Sequence, residues 1–138
     1  MAALWRYGEE MYQLTMTLLS GPGFPLGDQT RKIRMQVALD RGGNPDPQRW
    51  HDDPEPWRAW LEAPDIVDRM GDVQYEADLG WYLRMPPVDH GPEDANSWAI
   101  NFPHTPARPG ETMVTRGPDG ANWAWRIVQV EAQQPALS

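Results

Sequence analysis

The chain has 138 residues, a net charge of −8 from twenty acidic against twelve basic side chains, and no cysteine. That length suits one domain over 1–138, and 40% hydrophobic residues are enough to fill one core. The scarcity of cations argues against nucleic acid or an anionic membrane surface as partner, and the missing thiols remove a disulfide framework, a thiolate metal site and a thiol nucleophile.

Fifteen prolines and twelve glycines are spread along the chain, the pattern of short elements separated by turns, which fits strands better than a helical bundle. Met1 to Leu19 lacks a basic stretch followed by an apolar run, and no segment approaches the ~20 apolar residues of a membrane span. The expectation is synthesis in the cytoplasm and no membrane anchor.

Period-two alternation, which places alternate side chains on opposite faces of a sheet, is the clearest local signal. Tyr12, Leu14, Met16 and Leu18 share one face against Gln13, Thr15 and Thr17. Glycine and proline break the chain between Ser20 and Gly27; Ile33, Met35, Val37 and Leu39 then alternate with Lys32, Arg34 and Gln36. These two runs are expected to pair as antiparallel neighbours.

Residues 40–72 read as a loop and helix insert. Asp53-Pro54-Glu55-Pro56 has the chemistry of a helix start, an aspartate cap with prolines in the first turn. Trp57, Trp60 and Leu61 follow at helical spacing, and a second turn is expected from Pro64 to Met70, ended by Gly71. The third alternating run is the strongest: Tyr75, Ala77, Leu79, Trp81, Leu83 and Met85 on one face, Gln74, Glu76, Asp78, Tyr82 and Arg84 on the other. Pro86-Pro87 stops it. After a polar loop, Trp98, Ile100 and Phe102 mark a brief strand.

Glu111–Thr115, the turn residues Gly117-Pro118-Asp119-Gly120, and Asn122–Glu131 read as a hairpin. Its return strand is apolar on both faces, with Trp123, Trp125 and Ile127 on one and Ala124, Val128 and Val130 on the other, as a central or interface strand would be. Residues 133–138 read as a flexible tail. The fold class expected is mainly β: a small antiparallel β-barrel or sandwich of about six strands with one or two short helices in a central insert.

Catalytic signals are sparse. His51-Asp52-Asp53 with His90, Glu93 and Asp94 is the grouping that most resembles a metal or acid–base site, but its spacing matches no helical ligand pair, and Asp53 has a structural use as a cap. His104 sits between prolines, and Ser20 and Ser97 lack the context of a nucleophile. No catalytic residue, cofactor or metal is expected. The eight tryptophans carry more information. Large aromatics dominate cores, yet Trp and Arg are also enriched at binding hot spots. Trp50, Trp57, Arg58 and Trp60 in the insert, with Trp123 and Trp125 in the hairpin, are the candidate partner-contact residues.

Arg108-Pro109-Gly110-Glu111-Thr112 followed by Trp125-Arg126-Ile127-Val128-Gln129-Val130 resembles the C-terminal part of the head-to-tail joining (stopper, head-completion) proteins of tailed bacteriophages, with Gly80-Trp81-Tyr82-Leu83-Arg84 in the place of a preceding strand. Glu111 stands where that family has Asp. The resemblance implies a virion structural protein at the head–tail neck, assembled as a homo-oligomeric ring or against virion neighbours, with no catalytic residues. Two other classes fit the same residues: a small β-barrel isomerase, cyclase or hydratase acting on an apolar molecule, and an acidic inhibitor or immunity protein masking a basic partner.

Overall fold

The computed structural model describes residues 11–65, 68–85, 96–101, 107–117 and 119–133. Within them, eight strands close into one antiparallel barrel. These are β1 (Met11–Ser20), β2 (Asp28–Ala38), β3 (Trp57–Glu62), β4 (Arg69–Glu76), β5 (Gly80–Met85), β6 (Asn96–Asn101), β7 (Thr112–Arg116) and β8 (Asn122–Gln133), with a short helix α1 (Pro47–Asp52) between β2 and β3. Each strand pairs with the next in sequence, and β8 returns to β1. Closure gives each of these strands a partner on both sides, which removes the open edges of a flat sheet.

The alternation read from the sequence sets which side faces in. Leu14, Met16, Met35, Val37, Ala59, Val73, Met113 and Ile127 are fully buried, and they interdigitate across the lumen as the inward residues of a small barrel must. The first two runs pair as expected, from Met11↔Ala38 to Thr17↔Lys32. The C-terminal hairpin also forms where its turn chemistry put it, with Arg116 opposite Asn122.

The barrel has eight strands where six were expected, for two reasons. Residues 57–62 form β3 and not a helix: Trp57, Ala59 and Leu61 point inward and Trp60 outward, and only the Trp57–Leu61 pair shares a face in either period. The helix lies one Asp-Pro pair earlier, where Asp46 caps α1 by accepting from the N–H of Gln48 at 3.0 Å and Arg49 at 3.4 Å. Asp53 is instead its C-cap, and its carboxylate accepts the Trp57 indole N–H at 2.6 Å. The long third run is the second reason. It is two strands, because the chain reverses at Ala77–Leu79 and Gly80 takes a φ of +84°. Residues 40–72 therefore supply β3 and the start of β4 to the barrel wall as well as a helix.

Gly71 does not end a helix; it sits inside β4. A Cβ there would lie 2.0 Å from the Arg84 carbonyl oxygen, so glycine is what lets β4 and β5 approach this closely. The apolar outer face of β8 is resolved by a bulge: Thr15 pairs with Gln129 and Met16 with Ile127, leaving Val128 as the extra residue. The slip returns Val130 to the inward side opposite Leu14 and leaves Val128 44% exposed. Of the expected tail at 133–138, Gln133 ends β8 and the remainder lies outside the described residues, as do His90, Glu93, Asp94, Phe102 and His104.

Candidate functional site

Three places in the barrel concentrate side chains with something to offer a ligand or partner. At the end where β1 meets β2, a cavity of about 80 Å³ opens between apolar walls of Ile33, Leu61, Leu83 and Met85 and the indoles of Trp98, Trp123 and Trp125. Thr115 and Arg31 are its polar lining among the described residues. Trp125 donates its indole N–H to the Thr115 hydroxyl at 3.0 Å. Trp98 Nε1 is buried and has no hydrogen-bond partner among the described residues. Arg31 is ion-paired with Asp65 and lies 3.5 Å from Asp28, with its guanidinium over the Phe24 ring at 4.1 Å. Phe24 in turn packs on Trp123, and Gly21 leaves room for that indole, since a Cβ at Gly21 would lie 2.2 Å from it. No carboxylate or imidazole lines the cavity among the described residues.

The other end is sealed by aromatic packing. Trp57 and Trp81 stack with centroids 5.5 Å apart and an interplanar angle of 12°, and Tyr75 leans on Trp81 at 4.7 Å. Trp50 on α1 meets Tyr75 edge-on and donates its N–H to the Val73 carbonyl at 2.9 Å. Each indole N–H of α1 and β3 that goes inward thus finds an acceptor, as burial of Trp requires.

The third place is outside. A groove of about 650 Å³ runs over β8, β1 and β2 and under the β1–β2 loop. Its floor carries Thr15 and Thr17, with Lys32 and Arg34 from β2, Arg126 and Val128 from β8, and Leu26 from the loop. Arg126, Thr17 and Lys32 form one cross-strand row. Thr15 pairs with Arg34 in the next row, and Arg34 faces Glu62 at 3.0 Å. Two irregularities open the groove: the Val128 bulge, and a register shift after Thr17 that leaves Gln29–Arg31 unpaired with β1. Asp28 closes the second by accepting from the Thr30 N–H at 2.9 Å and from its hydroxyl. The Thr30 hydroxyl, then its N–H, hold the Asp28 carboxyl below the usual carboxylate range.

The six candidate contact residues separate by face. Trp57 and Trp125 are inside the barrel, 2% and 4% exposed, so neither indole can meet a partner of the folded monomer. Trp50 and Trp123 are half-buried against the core. Arg58 and Trp60 lie on the outer face of β3; Arg58 is exposed, and Trp60 is half-buried between Arg34 and Met70. His51 and Asp52 are exposed, with Nδ1 and Oδ1 3.4 Å apart. Gln48 and then His51 hold the Asp52 carboxyl below its usual range, and no third ligand of a metal site joins them among the described residues. Lys32, Arg126, Leu26 and Val128 were not among the candidate contact residues. Their legible signs are that Lys32, the sole lysine, shares an outward face with Arg34, and that Val128 stands on the second apolar face of the return strand.

Arg108–Thr112 is a turn leading into β7. Proline then glycine occupy its centre, Gly110 has a φ of +97°, and Glu111 N–H donates to the Arg108 carbonyl at 3.2 Å, the requirements of a type II turn. Gly110 and Ile127 tie it to β8 through the Gly110 N–H to Ile127 carbonyl and Ile127 N–H to Glu111 carbonyl bonds, both 2.8 Å. Compared with known proteins, the chain matches no family model, no curated protein and no solved structure.

Proposed function

We propose that this protein is a structural subunit that acts by assembling with copies of itself, in the setting the phage resemblance implies, the head–tail neck of a virion. The observation that carries the reading is that the barrel fills its interior with its own side chains, Leu14, Met16, Met35, Val37, Trp57 and Ile127 among them. A barrel built to hold a ligand keeps a larger chamber, typically ~300 Å³ or more. The chemistry left unused faces outward, in the basic groove and on the exposed side of β3. Size-exclusion chromatography with light scattering tests this. A mass of several subunits is the expected result; a monomer at every loading concentration overturns it.

The cavity favours a second reading, binding of a small apolar molecule that carries one acceptor. The buried N–H of Trp98, which has no partner among the described residues, supports it, because an indole N–H left without a partner costs about 1–3 kcal/mol. Acetophenone, an aromatic ring with one carbonyl, should then raise the melting temperature more than ethylbenzene does, and Trp98→Phe should abolish the difference. Equal effects of the two compounds would remove this reading.

A further inference from the structure

Among the described residues five arginines are ion-paired within this acidic chain: Arg31 with Asp65, Arg34 with Glu62, Arg49 with Asp53, Arg84 with Asp72 and Arg108 with Glu111. Lys32 and Arg126 are not. They flank Thr17 in the floor of the outer groove, and neither has an ion pair among the described residues. Above them Leu26 is 97% exposed and Val128 44% exposed, so the groove combines two free cations with two uncovered apolar side chains.

The complementary surface is on the far wall. The β4–β5 turn carries Glu76, Ala77 and Asp78, all exposed, and Leu79, 73% exposed. Leu79 N–H donates to the Glu76 carbonyl at 3.1 Å, which makes the turn a preformed tip with little ordering left to do on contact. Among the described residues Asp78 has no ion pair, and Glu76 accepts the Tyr82 hydroxyl at 3.3 Å. β5 stands four places from β1 in either direction around the barrel. In an up-and-down barrel successive turns alternate between ends, which puts the β1–β2 and β4–β5 turns at opposite ends.

We infer that the Glu76–Gly80 turn of one copy docks in the Lys32–Arg126 groove of the next, with Leu79 between Leu26 and Val128 and the two carboxylates on the two cations. This deepens the assembly reading and rests on it. The occupant is a second copy because charge sign decides: two molecules of net charge −8 repel unless a cationic patch on one meets an anionic patch on the other. The two patches are different surfaces, so the contact is heterologous. Each added copy brings a free groove and a free turn, and the chain of contacts ends only by closing into a ring.

The test uses two charge reversals on the full chain, Lys32→Glu with Arg126→Glu, and Glu76→Lys with Asp78→Lys, read by light scattering. Each alone should weaken assembly at least tenfold, and an equimolar mixture should recover it, since each reversed groove then meets a reversed turn. Leu79→Ser, at an exposed tip that bears no load in the fold, should weaken assembly without changing the melting temperature. If the unaltered protein assembles and all three variants assemble equally well, this contact is wrong while the assembly reading stands. Loss without recovery on mixing also overturns the pairing. A monomeric unaltered protein removes the assembly reading and the contact together.

Discussion

Trp125 and Thr115 hydrogen-bond diagonally inside the barrel: each faces a different cross-strand partner, Met113 and Trp123 respectively, yet the indole N–H reaches the hydroxyl at 3.0 Å. Both residues are buried, so water cannot replace either group. Thr115→Val keeps the shape and removes the acceptor, and should destabilise the fold by about 1–3 kcal/mol. Adding Trp125→Phe, which removes the donor, should make the double variant less unstable than the sum of the two singles. Urea unfolding measures both; strict additivity would show that the hydrogen bond contributes nothing.

Trp57 and Trp60 are three residues apart and should behave oppositely. Trp57→Ala deletes a buried indole, its stacking on Trp81 and its bond to Asp53, a loss of about 3–5 kcal/mol. Trp60→Ala removes a half-buried outer side chain beside Met70 and should cost roughly 1 kcal/mol. Equal midpoints in denaturant for the two variants would contradict the inward and outward placement of β3.

Glycines 71 and 80 separate crowding from backbone strain. Gly80→Ala meets no atom within 4 Å but must hold a φ of +84°, which costs on the order of 1 kcal/mol. Gly71→Ala drives a methyl into the Arg84 carbonyl and should cost more than ~3 kcal/mol, beyond the usual penalty for an overfilled site. Thermal melts rank the pair, and a Gly80 variant less stable than the Gly71 variant would refute the close approach of β4 and β5.

Tyr82 should ionise late. Burial first, then the carboxylate of Glu76, push its phenol above the ordinary range, Arg84 opposing more weakly. The neutral phenol is therefore the form that folding favours. Its stabilising contribution is complete below about pH 10, the value of a free tyrosine, and is lost as pH rises through the folded value. Subtracting the alkaline absorbance titration of Tyr82→Phe from that of the unaltered protein isolates this group. Glu76→Gln should move its midpoint down. A midpoint unchanged by that substitution would mean that Glu76 does not act on the phenol.

Strands whose alternation is interrupted by clear turn residues were legible from the sequence; those whose signals coincide with another period were not. β1, β2, β7 and β8 fall where their alternation and their glycine-rich turns put them. β3 was hidden because Trp57 and Leu61, four residues apart, share a face in a helix and in a strand alike, and Trp60, which faces outward in the strand, completes a helical pattern. β4 and β5 merged because Glu76 opposes Gly80, and a turn of that length preserves parity: Tyr75 and Trp81 point the same way on either side of it. The tryptophans could be recognised as important without their faces being assigned. The groove was out of reach for a different reason. Arg126 and Lys32 lie far apart along the chain and become neighbours across Thr17 only when β8 seals against β1.

That seam has a kinetic consequence. Met11 sits opposite Gln133, so the contact that completes the wall joins the two extremes of the described chain, and loop closure of that span must precede its reward. Until residues 122–133 have left the ribosome, β1 has one unpaired side. A nascent chain paused short of that point carries an open, hydrogen-bonding flank able to recruit the wrong strand, and closure of this barrel waits on the arrival of β8.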